Sequence, residues 1–241
     1  MNNNEHLAVR LAELATAASA DDIPAIAFER AKMSLASTVA SAAMGFNIPS
    51  ARVIRELELE GGGVRSATLW FQGTRLPPGA AARVNAVASD AAASDDSDMR
   101  SIAHIGTIVS TVALALAEQR QASGTDVLAA MVVGSEIAGR IDEALTPGRM
   151  QRGFHGSVST VFGGTVAAGR LLQLAPLEMA HAPAPAATPI GGMAISADTS
   201  WGREYHAGAS AAAAVQAGLG GGAGFTGEVS VLEHPRGFLG P

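Results

Sequence analysis

Small apolar residues, alanine above all, recur at helical spacing over 7–18 and 25–43, alanine again dominates 80–93, and a further helix is expected over 107–119. That period belongs to helices with a buried face. Hydrophobic residues make up 48% of the chain but aromatics only 4%. A core must therefore come from small residues that let helices approach closely, not from an aromatic-rich β-sandwich. At 241 residues the chain is long enough for a sizeable core, and it reads as one mainly α domain over 1–241.

Local signals place the breaks. Asp21-Asp22-Ile23-Pro24 reads as a helix start, and Pro49-Ser50 opens a third helix that runs to Glu60 before Gly61-Gly62-Gly63 ends it. Residues 66–71 alternate, with Ala67, Leu69 and Phe71 expected on one side, and Gln72-Gly73-Thr74 supplies a turn; this is the one β-hairpin expected. Ser123 or Thr125 caps a helix over 126–145, along which Glu136 and Arg140 are placed to pair. A helix over 157–172 carries Gly163, Gly164 and Gly169, which permit close backbone contact. Pro183, Pro185 and Pro189 forbid one regular helix over 182–192, and a last helix is expected over 207–219.

Several function classes fall away. A net charge of −6 without a basic stripe argues against nucleic acid. The absence of cysteine excludes disulfides, thiolate nucleophiles and Cys-ligated zinc, and fits a cytoplasmic protein. No secretory h-region follows the polar start, and no window of about 18 apolar residues suggests a membrane span. Lys32 is the sole lysine and lies on a scaffold helix, which makes it a poor Schiff-base candidate.

Chemistry concentrates in three places. Asp95, Asp96, Asp98 and His104 share one connection. Carboxylates beside an imidazole suit acid–base work or a divalent metal, while a solvated loop capping the next helix is the plainer reading. An EF-hand is not supported, because Arg100 and Gly106 stand where glycine and glutamate are needed. His155 follows Gly153-Phe154 just before a helix start, where the positive end of the helix favours a neutral imidazole. Arg203 and His206 precede the last helix, and Arg203 is fit to hold a carboxylate in two-pronged fashion or to pair with a neighbouring acid. Ser157 and Ser159 form no nucleophile elbow.

Taken in order, these segments carry a resemblance. Ala67-Thr68-Leu69, Val84-Asn85-Ala86, the aspartate loop, residues 113–118 and 134–141, Arg152-Gly153-Phe154-His155, His206-Ala207-Gly208 and Gly224-Phe225-Thr226-Gly227 together resemble the MmgE/PrpD family over about 11–238. The resemblance implies a large helical domain partnered in the family by a smaller α+β domain, with the site between them. It also implies proton transfer on small di- and tricarboxylates, commonly without a metal. By position, His104 and His155 match active-site histidines, Asp96 with Ser97 matches an Asp-Thr pair, Arg203 stands where lysine is usual, and His206 matches the histidine after it. Ala93 replaces an aspartate, and Asp90 and Asp98 replace histidines.

The expectations follow. His104, His155 and Asp96 carry acid–base catalysis, and Ser97, Arg203 and His206 bind substrate, with no metal and no cofactor. The smaller α+β domain is expected to be lacking, so that a homodimer mate or a separate small-domain subunit completes the site. The activity is a lyase or isomerase acting on a carboxylated small molecule, with Ala93 pointing to a changed reaction such as isomerisation or cyclisation. The other reading is a non-catalytic helical subunit or scaffold partnering a full-length relative or a separate small-domain protein.

Overall fold

The computed structural model describes residues 6–100, 103–145 and 148–240. The helices are α1 (Leu7–Ala17), α2 (Ala25–Gly45), α3 (Pro49–Glu60), α4 (Pro78–Ala91), α5 (Ile105–Arg120), α6 (Gly124–Leu145), α7 (Gly148–Gln151), α8 (Ser157–Leu171), α9 (Pro176–His181), α10 (Pro183–Ala187), α11 (Ala194–Thr199) and α12 (Gly202–Gly222). One antiparallel hairpin, β1 (Ala67–Leu69) with β2 (Thr74–Leu76), completes the fold. It is the mainly α architecture expected. Among the described residues, no helix is long and apolar enough to cross a membrane.

Caps fix the ends of several helices. Ser19 and Asp22 form a reciprocal capping box on a short 3-10 turn, Ala20–Asp22, so the start expected at Asp21-Asp22 is this turn, and α2 begins only after Pro24. Between α5 and α6, Gln121 adopts the left-handed conformation, and the Ala122 N–H closes onto the Ala117 carbonyl at 3.0 Å. Ser123 then receives the Asp126 N–H at 3.2 Å while Asp126 accepts from Ser123, which identifies Ser123 as the cap. Glu136 and Arg140 pair along α6 as the spacing predicts.

The centre of the molecule is α5, buried on almost every side, with α8 against it and α4, α6 and α12 around the pair. Such burial needs small side chains at the crossings. Gly163 of α8 meets Gly134 of α6, where an added Cβ would lie 2.6 Å from the Gly134 carbonyl oxygen. At Gly45 of α2 a methyl group would overlap the Ala88 carbonyl oxygen and lie 2.9 Å from its carbon, so only glycine permits the α2–α4 contact. Gly45→Ala is expected to cost about 2–3 kcal/mol through this overpacking. Urea unfolding checks it: an unchanged midpoint would mean the two helices do not approach this closely.

The hairpin buries Ala67, Leu69 and Leu76 against α4 and α5. Asn85 pins it by accepting the Trp70 N–H at 3.1 Å and donating to the Thr68 carbonyl at 3.0 Å, while Glu118 accepts from Thr68. Phe71 departs from the alternation. It sits in the turn at φ +63° and is 51% exposed, because the chain reverses over 70–73 before a third inward position is reached.

The last helix starts earlier and ends later than its pattern predicts. Residues 202–206 are already helical because Glu204 is buried and accepts from Ser50 at 2.9 Å. Its end runs through Gly220-Gly221-Gly222, which tertiary packing against α8 and α9 holds helical despite their low propensity. Within the proline-rich stretch only the short helix α10 forms, with Pro183 in its first turn, directly after α9, which Pro176 opens.

Candidate active site at one end of the helix bundle

Packing sets the helix directions. Helix α12 runs with α8, with Ala214 at Gly164 and Gly218 at Ala168, and α4 runs against α12, with Asp90 at Arg203 and Gly79 near Val215. Helix α5 starts beside the end of α4, where Thr107 meets Ser89 at 3.0 Å. The starts of α5, α8 and α12 therefore carry His104, His155, Arg203 and His206, and the end of α4 contributes Asp90. Helix N-termini present unpaired N–H groups and positive potential, which suits an anionic ligand.

The connection over 92–104 is shaped by its own carboxylates. Asp98 accepts from the Arg100 backbone and guanidinium, and its N–H donates to Ala103 at 2.9 Å. Ala93 lies at φ +50° and is exposed, so the position carries no proton-handling group. Asp95 is the carboxylate turned inward. Its side chain is fully buried, one oxygen accepts from Thr107 at 2.5 Å, and the other lies 3.2 Å from His104 Nδ1. That contact is at ion-pair distance but bent away from good hydrogen-bond geometry. It raises the His104 pKa above its ordinary value, against the opposing pull of partial burial.

Asp90, 1% exposed, lies beside this pair. Arg203 donates from Nε to its carboxylate at 3.1 Å and from a terminal nitrogen to its backbone carbonyl at 2.7 Å. Burial first, and then repulsion from Asp95, push the Asp90 pKa up to about 6 despite Arg203. Arg203 thus takes a carboxylate partner within the protein while remaining about one-third exposed.

His206 lies three residues beyond Arg203, on the same face of α12. Its ring centroid is 5.9 Å from that of His155. Its Nδ1 is buried without a hydrogen bond, and burial lowers its pKa. The His155 backbone is fixed by donating to Gly192 at 2.7 Å, with Ala194 returning a bond to Gly153 at 2.8 Å. Gly192 is required there: it adopts φ +52°, and a Cβ would overlap Val158. The segment after α10 therefore positions the histidine before α8.

Of the residues expected from sequence, His104, Arg203, His206 and His155 fall along one continuous array. Asp96 and Ser97 face elsewhere. Asp96 accepts from Ser34 at 2.5 Å, and burial raises its pKa. With Ser97, Arg30 and Glu136 it lines a separate cleft of about 440 Å³ between α2, α6 and the loop. The carboxylate that faces His104 is Asp95; the sequence reading noted Asp90 only as replacing a histidine and missed Thr107. Adjacent aspartates on an irregular loop carry no periodicity to separate inward from outward. Ser157 lies outside the residues whose side chains are described.

Asp90, Asp95 and His104 bring ligand atoms within 4.8 Å of one another, the spacing of a divalent-cation site. Arg203 places a fixed positive charge on the same Asp90 carboxylate, which opposes a cation there. Proton handling is the better match. Environments that push two titratable groups in opposite directions suit one to act as acid and the other as base, and His104 and His206 are shifted in that way.

Comparison with known proteins identifies the family of the chain. The profile of the MmgE/PrpD N-terminal domain matches residues 9–240. Two curated relatives, cis-aconitate decarboxylases from Aspergillus terreus and from its strain NIH 2624 / FGSC A1156, are each 32% identical over 169 residues, covering 67% of this chain. The matched stretch is 34% of the length of those relatives.

Proposed function

The chain belongs to the MmgE/PrpD family through its N-terminal domain, and from that premise we propose that it carries the histidine-bearing wall of a lyase that moves protons on a small carboxylated molecule. The observation that carries the reading is the divergent pair of histidines, His104 raised by Asp95 and His206 lowered by burial, at the shared starts of α5 and α12. Neutral His206, with His155 beside it, accepts a proton from carbon next to a carboxylate. Protonated His104, held by Asp95, returns one or stabilises the developing negative charge. Arg203 and the helix N-termini attract the substrate carboxylates. In this reading Asp96 and Ser97 hold the loop in place, and any contact they make with substrate is through the adjoining cleft.

The finer reaction is a proposal of its own. Decarboxylation follows the relatives, whereas Ala93, exposed and without the carboxylate expected there, supports a changed reaction such as isomerisation or cyclisation. His104 and Arg203 are about a quarter and a third exposed, so a facing wall is needed to exclude water. In this reading a smaller α+β unit of the family's kind or a dimer mate supplies it.

The test is incubation of the chain in D2O with di- and tricarboxylates, cis-aconitate included, followed by NMR, alone and mixed with a full-length relative. Product formation or deuterium uptake at carbon next to a carboxylate is expected. Neither signal with any substrate, in either arrangement, would leave the non-catalytic helical subunit as the surviving reading.

A further inference from the structure

Opposite the histidines, the same helices end in a second polar cavity. Helices α5 and α8 finish at Arg120 and Arg170, and these two arginines line one hollow of about 390 Å³ with Asp126, Gln173 and Ala20. Helix α6 starts there and runs back toward the other end, where Ser159 donates to Asp142. Over its 16 residues α5 spans about 24 Å, so this cavity is remote from His104.

Neither arginine has an acidic partner within ion-pair distance among the described residues. Arg170 donates from one terminal nitrogen to the Ala15 carbonyl, while its Nε is buried with no hydrogen bond. Burial without a counter-ion lowers its pKa, and Asp126 offsets this only through space. The Asp126 carboxylate is committed to the Ser123 cap, at 2.7 Å from the hydroxyl and 3.1 Å from the N–H.

Arginines at helix ends ordinarily serve the last carbonyls. Here the turns close on themselves instead. The Ala122 N–H serves the Ala117 carbonyl, Gln173 serves Arg170, and Leu174 serves Gly169. Among the described residues, the Arg120 side chain has no hydrogen bond or ion pair. Two guanidinium groups, of which only one Arg170 nitrogen is committed within the protein, line a cavity holding one capped carboxylate.

We propose that Arg120 and Arg170 form a binding site for a small polyanion whose phosphate or carboxylate oxygens bridge the two guanidinium groups. Such a ligand joins the ends of α5 and α8, the two helices whose starts present His104 and His155. The proposal is independent of the activity assigned to those histidines.

Inorganic phosphate and citrate are the probes, titrated by calorimetry and by thermal unfolding at ionic strength matched with sodium chloride. A saturable rise in the unfolding midpoint is expected with at least one of them. Phosphate alone marks a phosphate site, and citrate alone a carboxylate site. Arg120→Gln, which removes a side chain with no partner to lose, is expected to weaken binding about tenfold or more. Arg170→Lys, which keeps a donor near Ala15, is expected to do the same. Binding weakened by Arg203→Gln but not by Arg120→Gln places the anion at the histidine end and overturns the proposal. No saturable binding of either anion, or binding undiminished in Arg120→Gln, overturns the proposal.

Discussion

Replacement of His104 by glutamine is expected to lower turnover of the carboxylate substrate by about 10²–10⁴-fold, the usual contribution of a positioned acid or base. Glutamine keeps roughly the bulk and a hydrogen-bonding end but does not titrate. His104 has no capping role to lose, since its side chain bonds no backbone N–H of α5. Its Nδ1 faces Asp95, which leaves Nε2 as the nitrogen available to a bound molecule. Asp95→Asn separates chemistry from folding. Contact with the carboxylate is the largest cause of the raised His104 pKa, so removing that charge moves the limb of the rate profile governed by His104 to lower pH. A combined measurement of kcat against pH and of urea unfolding checks both. Full activity in His104→Gln, or a profile unmoved in Asp95→Asn, would assign the proton to another group.

How much of this was legible in the sequence depends on the range of the interaction. Helices set by periodicity and local caps, such as Pro49 opening α3 or Ser123 with Asp126 opening α6, were readable because the signal and the structure lie within one turn. The hairpin was readable, but not the reversal that turns Phe71 outward. The early start of α12 depends on Ser50 meeting Glu204 across 154 positions, and no local pattern carries that. The site follows the same rule. The histidines beside helix starts were identifiable one by one. Their linkage was not, because Asp90 and Arg203 meet across 113 positions. The choice of Asp95 over Asp96 is likewise made by Thr107 and Ser34, on different helices, each taking one of two adjacent carboxylates.

Asp90→Asn is expected to stabilise the protein by about 3 kcal/mol at neutral pH and by almost nothing near pH 4. The sign comes from its raised pKa. The carboxyl titrates at about 6 in the folded protein against 3.8 for the ordinary group. Between those values the folded chain keeps a proton that the unfolded chain releases, so stability falls as pH rises through the interval and is level above it. Burial is the main cause, Asp95 and then Glu204 add repulsion, and Arg203 and His104 recover only part. Asparagine stays neutral throughout and leaves the Arg203 bond to the backbone carbonyl in place. His104 and Asp96, whose pKa values are also raised, slope the same way in both proteins, and the difference between wild type and variant largely removes them. Urea unfolding of both proteins between about pH 4 and pH 7 gives that difference directly. A gap that stays constant across the range would mean that Asp90 ionises normally and that Arg203 alone sets its charge. A gap that opens through the interval identifies Asp90 as a charge kept at a cost in stability, as groups at functional sites are. Loss of the carboxylate would also release the Arg203 Nε from its internal partner, and a changed KM for the carboxylate substrate in the same variant would tie that cost to binding.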